Sequence, residues 1–296
     1  GFLFPFIFTW IGISNIAPQG VVPDSVIYSF YIGAAILILC VIYTTVKVKE
    51  MPPAEYAEYH GITEEEEKEK INMVKLLVKA PKAFWTVGLV QFFCWFAFMF
   101  MWTYTNGSVA ANVFDAPTVE TVVNGVSKVM LDTKSIQYQD AADWVGVLFA
   151  VQAIGSVLWA VCIPLFKDRK LIYSLSLVLG GLGFISTYFV HNQYVLFISF
   201  LLIGCAWAAM LALPFTILTN ALSGGHMGTY LGLFNGTICI PQIVAASLGG
   251  SILALFTPKG MLPPEINMLV MAGVMLIIGS VCVYLIKETK GEQAKA

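Results

Sequence analysis

FWTVGLVQFFCWFAFMFMWTYTNGSVAANV, residues 84–113, runs for thirty residues without one charged side chain. As an α-helix rising about 1.5 Å per residue it reaches about 45 Å, more than the roughly 30 Å hydrocarbon core of a bilayer. Six more long apolar stretches occupy residues 26–46, 145–166, 171–190, 194–222, 229–256 and 268–286, and the charged residues lie between them. The runs are continuous rather than alternating every second residue, and in lipid only helices and closed barrels satisfy their own backbone hydrogen bonds. The expected fold class is therefore all-α and integral to a membrane. Composition agrees: 58% of residues are hydrophobic and 11% charged, against about 25% charged in an ordinary soluble domain.

Residues 1–13 read as the tail of an eighth span, too short to cross alone, that enters a turn containing Pro18 and Pro23. The chain opens on Gly1, with no initiator methionine and no basic region preceding a short apolar core and cleavage site. It reads as the C-terminal portion of a longer protein. The expected organisation is residues 1–46 as the end of an N-terminal helical bundle, 47–83 as a cytoplasmic loop between bundles, and 84–296 as a C-terminal bundle of six helices.

Lysine and arginine fix the expected orientation. One alternate set of loops holds only Lys128, Lys134 and Lys259, while the other set and the C-terminus hold the remaining thirteen of the sixteen basic residues. Basic residues in short loops stay in the cytoplasm, so the second set and the C-terminus are expected there, in a plasma or bacterial inner membrane. Within the loop 47–83, residues 64–70 form a charge run that should be solvated, and residues 71–78 carry apolar positions at the spacing of a short surface helix. The six cysteines include no close pair; they read as packing residues, with neither a disulfide framework nor a metal site.

The spans differ in polarity. Residues 171–190 and 268–286 offer little beyond hydroxyls and are expected to face lipid. Residues 84–113 instead place Gln91, Trp95, Trp102 and Asn106 within an arc of about 60° at 100° per residue. Asn235 and Gln242 share a face of a later span, as do Gln152, Ser156 and Trp159 in the third, and Thr216 with Asn220 in the fifth. Amides are costly in lipid unless another helix or a watery cavity satisfies them, so each stripe is either glue between helices or the lining of a polar interior. Trp85 and Trp144 fall at expected interfaces, where aromatic belts form. Asn106-Gly107, Pro214, Pro241 and Gly249-Gly250 are expected to interrupt their spans, as breaks do at binding sites and hinges of transporters; the glycine pair reads equally as a close helix contact.

No Asp, Glu, Lys, Arg or His falls within the body of a complete span. There is no nucleophile paired with a base, no metal-ligand cluster and no phosphate-cradling loop, so neither enzyme nor ATP-driven pump is expected, and no cofactor or metal. A neutral, hydroxyl-rich solute suits the stripe, because amides exchange hydrogen bonds with hydroxyls and indole faces stack on sugar C–H surfaces.

The order of spans and loops, with a short basic turn at Lys167-Asp168-Arg169-Lys170, resembles the second half of a major facilitator transporter. Asp168 and Arg169 look like that superfamily's cytoplasmic loop motif in its second copy, without the usual flanking glycine. WTYTNGSVAANVFDAP (102–117) and LGLFNGTICIPQIVAASLGG (231–250) are similar to helices of the sucrose-transporter-like and glycoside-pentoside-hexuronide:cation symporters, in which an Asn precedes a Pro-Gln pair, here Asn235 and Pro241-Gln242. Where those proteins often carry Thr-Asp before the glycine, this chain has Thr105-Asn106, which removes a charge there.

The resemblance implies a proton- or cation-coupled symporter of a disaccharide or oligosaccharide such as maltose or sucrose, working by alternating access. Its coupling acids are expected in the preceding bundle, and substrate contacts at Gln91, Trp95, Trp102, Asn106, Asn235 and Gln242. The partners it implies are a sugar, a coupling proton or cation and the lipid bilayer, without nucleic acid, and a monomer when full length. A transporter of another small solute, such as a nucleoside, peptide or drug, and a transporter-derived sensor or receptor stay open as alternatives.

Overall fold

The computed structural model describes residues 3–14, 22–49, 52, 55, 59, 73–123, 126–222 and 227–286. The charge run at 64–70 and the turn around Pro18 lie outside the described residues. Among the described residues, seven helices are long and apolar enough to cross a membrane, each coinciding with one of the spans read from the sequence. Lipid gives a backbone amide no alternative partner, so long apolar sequence and helix go together.

The chain divides into two compact units, residues 1–75 and 76–296. In the first, α1 (Leu3–Trp10) and α2 (Asp24–Lys47) pack on one another, with the Phe8 and Tyr28 rings 6.2 Å apart. The division falls within the short α3 (Met73–Val78), the described part of the surface helix read at 71–78.

The second unit is a bundle of α4 (Lys82–Asn112), α5 (Ile136–Cys162), α6 (Arg169–Ser186), α7 (Leu196–Ala221), α8 (Met227–Phe234) with α9 (Gly236–Phe256), and α10 (Ile266–Cys282). The long helix α4 is its axis, packing against α5, α7, α9 and α10. Its apolar stretch is 67% buried, against 17% for α5 and 17% for the α8–α9 span. The sequence stretch that decides the fold is thus also the core of the bundle.

The structure corrects the expectation that α6 and α10 are the lipid-facing helices: half of the α6 stretch and 44% of the α10 stretch are enclosed. A Cβ on Gly181 would press on the carbonyl of Gly273, and one on Gly273 on the carbonyl of Gly181. Two backbones crossing without side chains between them bury both helices by close contact rather than by polar pairing. Polarity alone could not show this.

A second difference lies between α4 and α5. Residues 118–131 form an antiparallel hairpin, β1 (Thr118–Val123) paired with β2 (Val126–Leu131), closed at its base by Asp132 N–H donating to the Pro117 carbonyl at 2.8 Å. The segment is rich in Thr and Val, which fit a pleated strand better than a helix. After it α5 starts at Ile136, well before the apolar stretch at 145, with Ser135 Oγ accepting from Tyr138 N–H as its cap. The bundle therefore has a hairpin end and, opposite, a basic-turn end. At the latter Asp168 caps α6, its Oδ1 accepting from the backbone N–H groups of Lys170 and Leu171 at 2.9 and 3.0 Å, with Arg169 exposed beside it.

Candidate functional site

Asn106-Gly107, Pro214, Pro241 and Gly249-Gly250 do not interrupt their helices as expected: α4, α7 and α9 run through all of them. At one of them a neighbouring helix takes up what the break would release. At Pro214 the missing N–H frees the carbonyl of Met210, and Gln91 Nε2 donates to it at 3.3 Å. Gly249 is a close helix contact, where a Cβ would collide with the Tyr104 hydroxyl, whereas Gly250 meets nothing within 4 Å. The one discontinuity lies at Asn235, between α8 and α9, where its N–H is shared between the carbonyls of Leu231 and Gly232.

The stripe on α4 is partly sealed and partly open. Gln91 is fully buried and Trp95 only 7% exposed, while Trp102 is 39% exposed and Asn106 half-buried. Trp207 on α7 joins them: its ring lies 5.9 Å from both Trp95 and Trp102, steeply inclined to each, and those two are 6.4 Å apart. Phe98 closes the group behind Trp207 at 4.9 Å. This triangle of indoles is built by two helices. Sequence alone could not pair Trp207 with α4, because spacing within one helix says nothing about rotation of the next.

Five buried polar side-chain atoms lack a hydrogen-bond partner among the described residues: Gln91 Oε1, Trp95 Nε1, Asn106 Oδ1, Ser108 Oγ and Tyr173 Oη. Four of the five lie on α4. On α5, Trp159 Nε1 donates to Ser176 Oγ of α6 at 2.8 Å, which donates onward to the Ile172 carbonyl, while the Gln152–Ser156 side of the helix packs on α7 at Gly204. Thr216 returns its hydroxyl to Ala212 of its own helix, and both it and Asn220 are exposed. Trp144 donates to the Gln193 carbonyl and stacks on Phe197, while Trp85 is 55% exposed, as a belt residue would be.

The α9 amides fall at other depths. Thr237 packs on Gly88 and Gly249 on Tyr104, so α9 runs parallel to α4. Asn235 is then level with the start of α4, where Phe234 packs on Phe84 at 5.6 Å. That is about 30 Å from the level of Asn106 at 1.5 Å per residue. Gln242 lies between the two levels and is half-buried. The structure brings Trp95, Trp102 and Asn106 together, keeps Gln91 behind them against α7, and sets Asn235 apart near the basic-turn end.

One functional group escaped the sequence reading. Glu265 stands in the loop immediately before α10, outside the spans in which charged residues were sought. It occupies the N-cap position, yet its side chain makes no capping hydrogen bond. Its carboxylate instead lies against Gly107, filling the space that a Cβ there would need. Burial pushes its pKa up from 4.5 to about 7. A carboxyl arriving from another element thus lies against the residue next to Asn106, where a charge was read as missing.

A family model described as Major Facilitator Superfamily matches residues 109–296, well over half of the chain. The chain belongs to the major facilitator superfamily. No curated protein matches it. As a major facilitator protein it is a multi-pass membrane transporter, with a small-molecule substrate and the bilayer as its surroundings. The match takes in the hairpin, α5 to α10 and Glu265; the stripe from Gln91 to Asn106 precedes it.

Proposed function

We propose that this major facilitator protein carries a disaccharide or oligosaccharide such as maltose or sucrose, by alternating access and coupled to a proton or cation. One observation supports the reading most: of the polar atoms left unpaired on α4, that of Trp95 belongs to a triangle of tryptophan rings and that of Asn106 stands one helical turn beyond Trp102. A buried N–H or C=O without a partner costs about 1–3 kcal/mol, a cost that a hydroxylated solute would recover. Indole faces would cover its C–H surfaces. Trp95, Trp102 and Asn106 are the proposed contacts at the hairpin end, with Gln242 deeper and Asn235 near the basic-turn end as the solute descends. Gln91 holds α7 behind them and extends the same polar stripe.

On this reading residues 1–46 close a preceding bundle, residues 47–83 tether it to 84–296, and the full-length monomer rocks around a midplane site. The sucrose-transporter-like and glycoside-pentoside-hexuronide symporters are the branch it resembles. The basic-turn end and the C-terminus face the cytoplasm and the hairpin faces outward, by the distribution of lysine and arginine. Uptake of radiolabelled maltose and sucrose into vesicles containing the full-length protein tests the substrate class. Saturable uptake of either supports it; none for sugars with uptake of a nucleoside or peptide would replace it.

A further inference from the structure

A carboxylate at the N-cap of a helix ordinarily accepts hydrogen bonds from the free N–H groups of the first turn, which hold it charged. Glu265 heads α10 and forgoes them, pressing its carboxyl into the notch that Gly107 leaves in α4. The titratable groups near enough to feel its charge are Tyr104 on α4 and Tyr138 on α5, both neutral in ordinary conditions. Desolvation is the only cause acting on it, so no cation among the described residues offsets its charge. The residue before Gly107 carries the buried, unpaired acceptor Asn106 Oδ1, whose amide faces the Tyr138 hydroxyl. The surroundings of this carboxyl suit a neutral acid: it is largely desolvated and lies against the residue next to Asn106, whose acceptor oxygen needs a donor.

We propose that Glu265, in the Gly107 notch between α4, α5 and α10, is a proton-binding site of this transporter, loaded from the side of the membrane that the hairpin faces. The proposal rests on the transport reading above and places a coupling acid in this bundle as well as in the preceding one. Protonated, the carboxyl is neutral and becomes a donor that can remain in the notch. Ionised, it needs water or a cation, leaves Gly107, and releases the contact between α10 and α4 next to Asn106 and Trp102. Proton occupancy is thereby tied to the opening of the solute-contacting face. The folded protein holds this proton more tightly than an unfolded chain, so the stabilisation is fully present below 4.5 and is lost as the pH rises through about 7.

The test uses the full-length protein in lipid nanodiscs, following the carboxyl infrared band from about pH 5 to about pH 9, beside maltose uptake into vesicles over the same range. One carboxyl should titrate near 7 and be absent in Glu265→Gln, which keeps the neutral shape. Gly107→Ala, which fills the notch, should return the titration towards 4.5, a roughly 300-fold loss of proton affinity at tenfold per pH unit. The rise and fall of uptake with pH should flatten in Glu265→Gln. Titration of Glu265 in the ordinary carboxylate range, an unchanged uptake profile in Glu265→Gln, or a band that moves with sodium concentration at fixed pH would each overturn the proposal. If the wild type takes up no maltose at any pH, the sugar reading falls, while the infrared titration still decides whether Glu265 binds the proton.

Discussion

The side-chain amide of Gln91 on α4 donates to the carbonyl oxygen of Met210 on α7 at 3.3 Å, and Met210 stands four residues before Pro214. Proline has no N–H to give that carbonyl, so a polar residue of one helix repairs the ladder of another. The repair explains how Gln91 can be wholly enclosed, and how α7 keeps its course past the proline.

Gln91→Leu should therefore cost about 1–3 kcal/mol by leaving the Met210 carbonyl unpaired, read as a lower unfolding temperature in detergent. In a Pro214→Ala background the backbone supplies the missing N–H, and the same replacement should cost markedly less. Equal costs in the two backgrounds would show that the two residues act independently.

Trp95→Ala and Trp102→Ala should each weaken sugar binding by about 1 kcal/mol or more, the scale of losing an aromatic contact. Asn106→Leu should do the same at about 1–3 kcal/mol, by depriving a buried hydroxyl of its partner. Trp207→Ala removes the third ring and should follow the same pattern. Sugar binding per folded molecule, measured beside membrane expression, separates this from packing: normal affinity with reduced abundance would assign these residues to helix contacts only.

Gly273→Ala should destabilise the bundle by about 1–3 kcal/mol, the usual cost of forcing extra atoms into a packed site, because its Cβ would meet the Gly181 carbonyl. Gly250→Ala, where nothing lies within 4 Å, should be neutral or slightly stabilising. Unfolding temperatures of the two variants check both; similar losses at the two positions would contradict the α6–α10 crossing.

Single cysteines introduced at Ser135 and Gln293, in a background lacking the six native ones, should react with an impermeant thiol reagent from opposite sides of the membrane. Labelling of both from outside would reverse the orientation read from the basic residues.

Seven spans, their helical state and their boundaries to within a few residues over most of their lengths followed from the sequence, because lipid leaves a long apolar segment no other way to satisfy its backbone. The α4 stripe was legible for the same local reason: residues 91, 95, 102 and 106 share a face through the helical repeat alone. The hairpin at 118–131 and the early start of α5 were not, since an apolar-length criterion passes over short strands and polar helical turns.

Only the tertiary structure decided which polar groups are spoken for. Trp159 looked like Asn106 in sequence, yet it finds Ser176, while the acceptor oxygen of Asn106 finds no partner; Gln91 is paired through its N–H to the Met210 carbonyl but not through its oxygen. Pairing across helices depends on the rotation and depth of each helix against its neighbour, which no single periodicity encodes. The same holds for Glu265, a loop residue by position and a half-buried acid by contact: its neighbour Gly107 is 158 residues away in the chain, and only folding brings the carboxyl and the notch together.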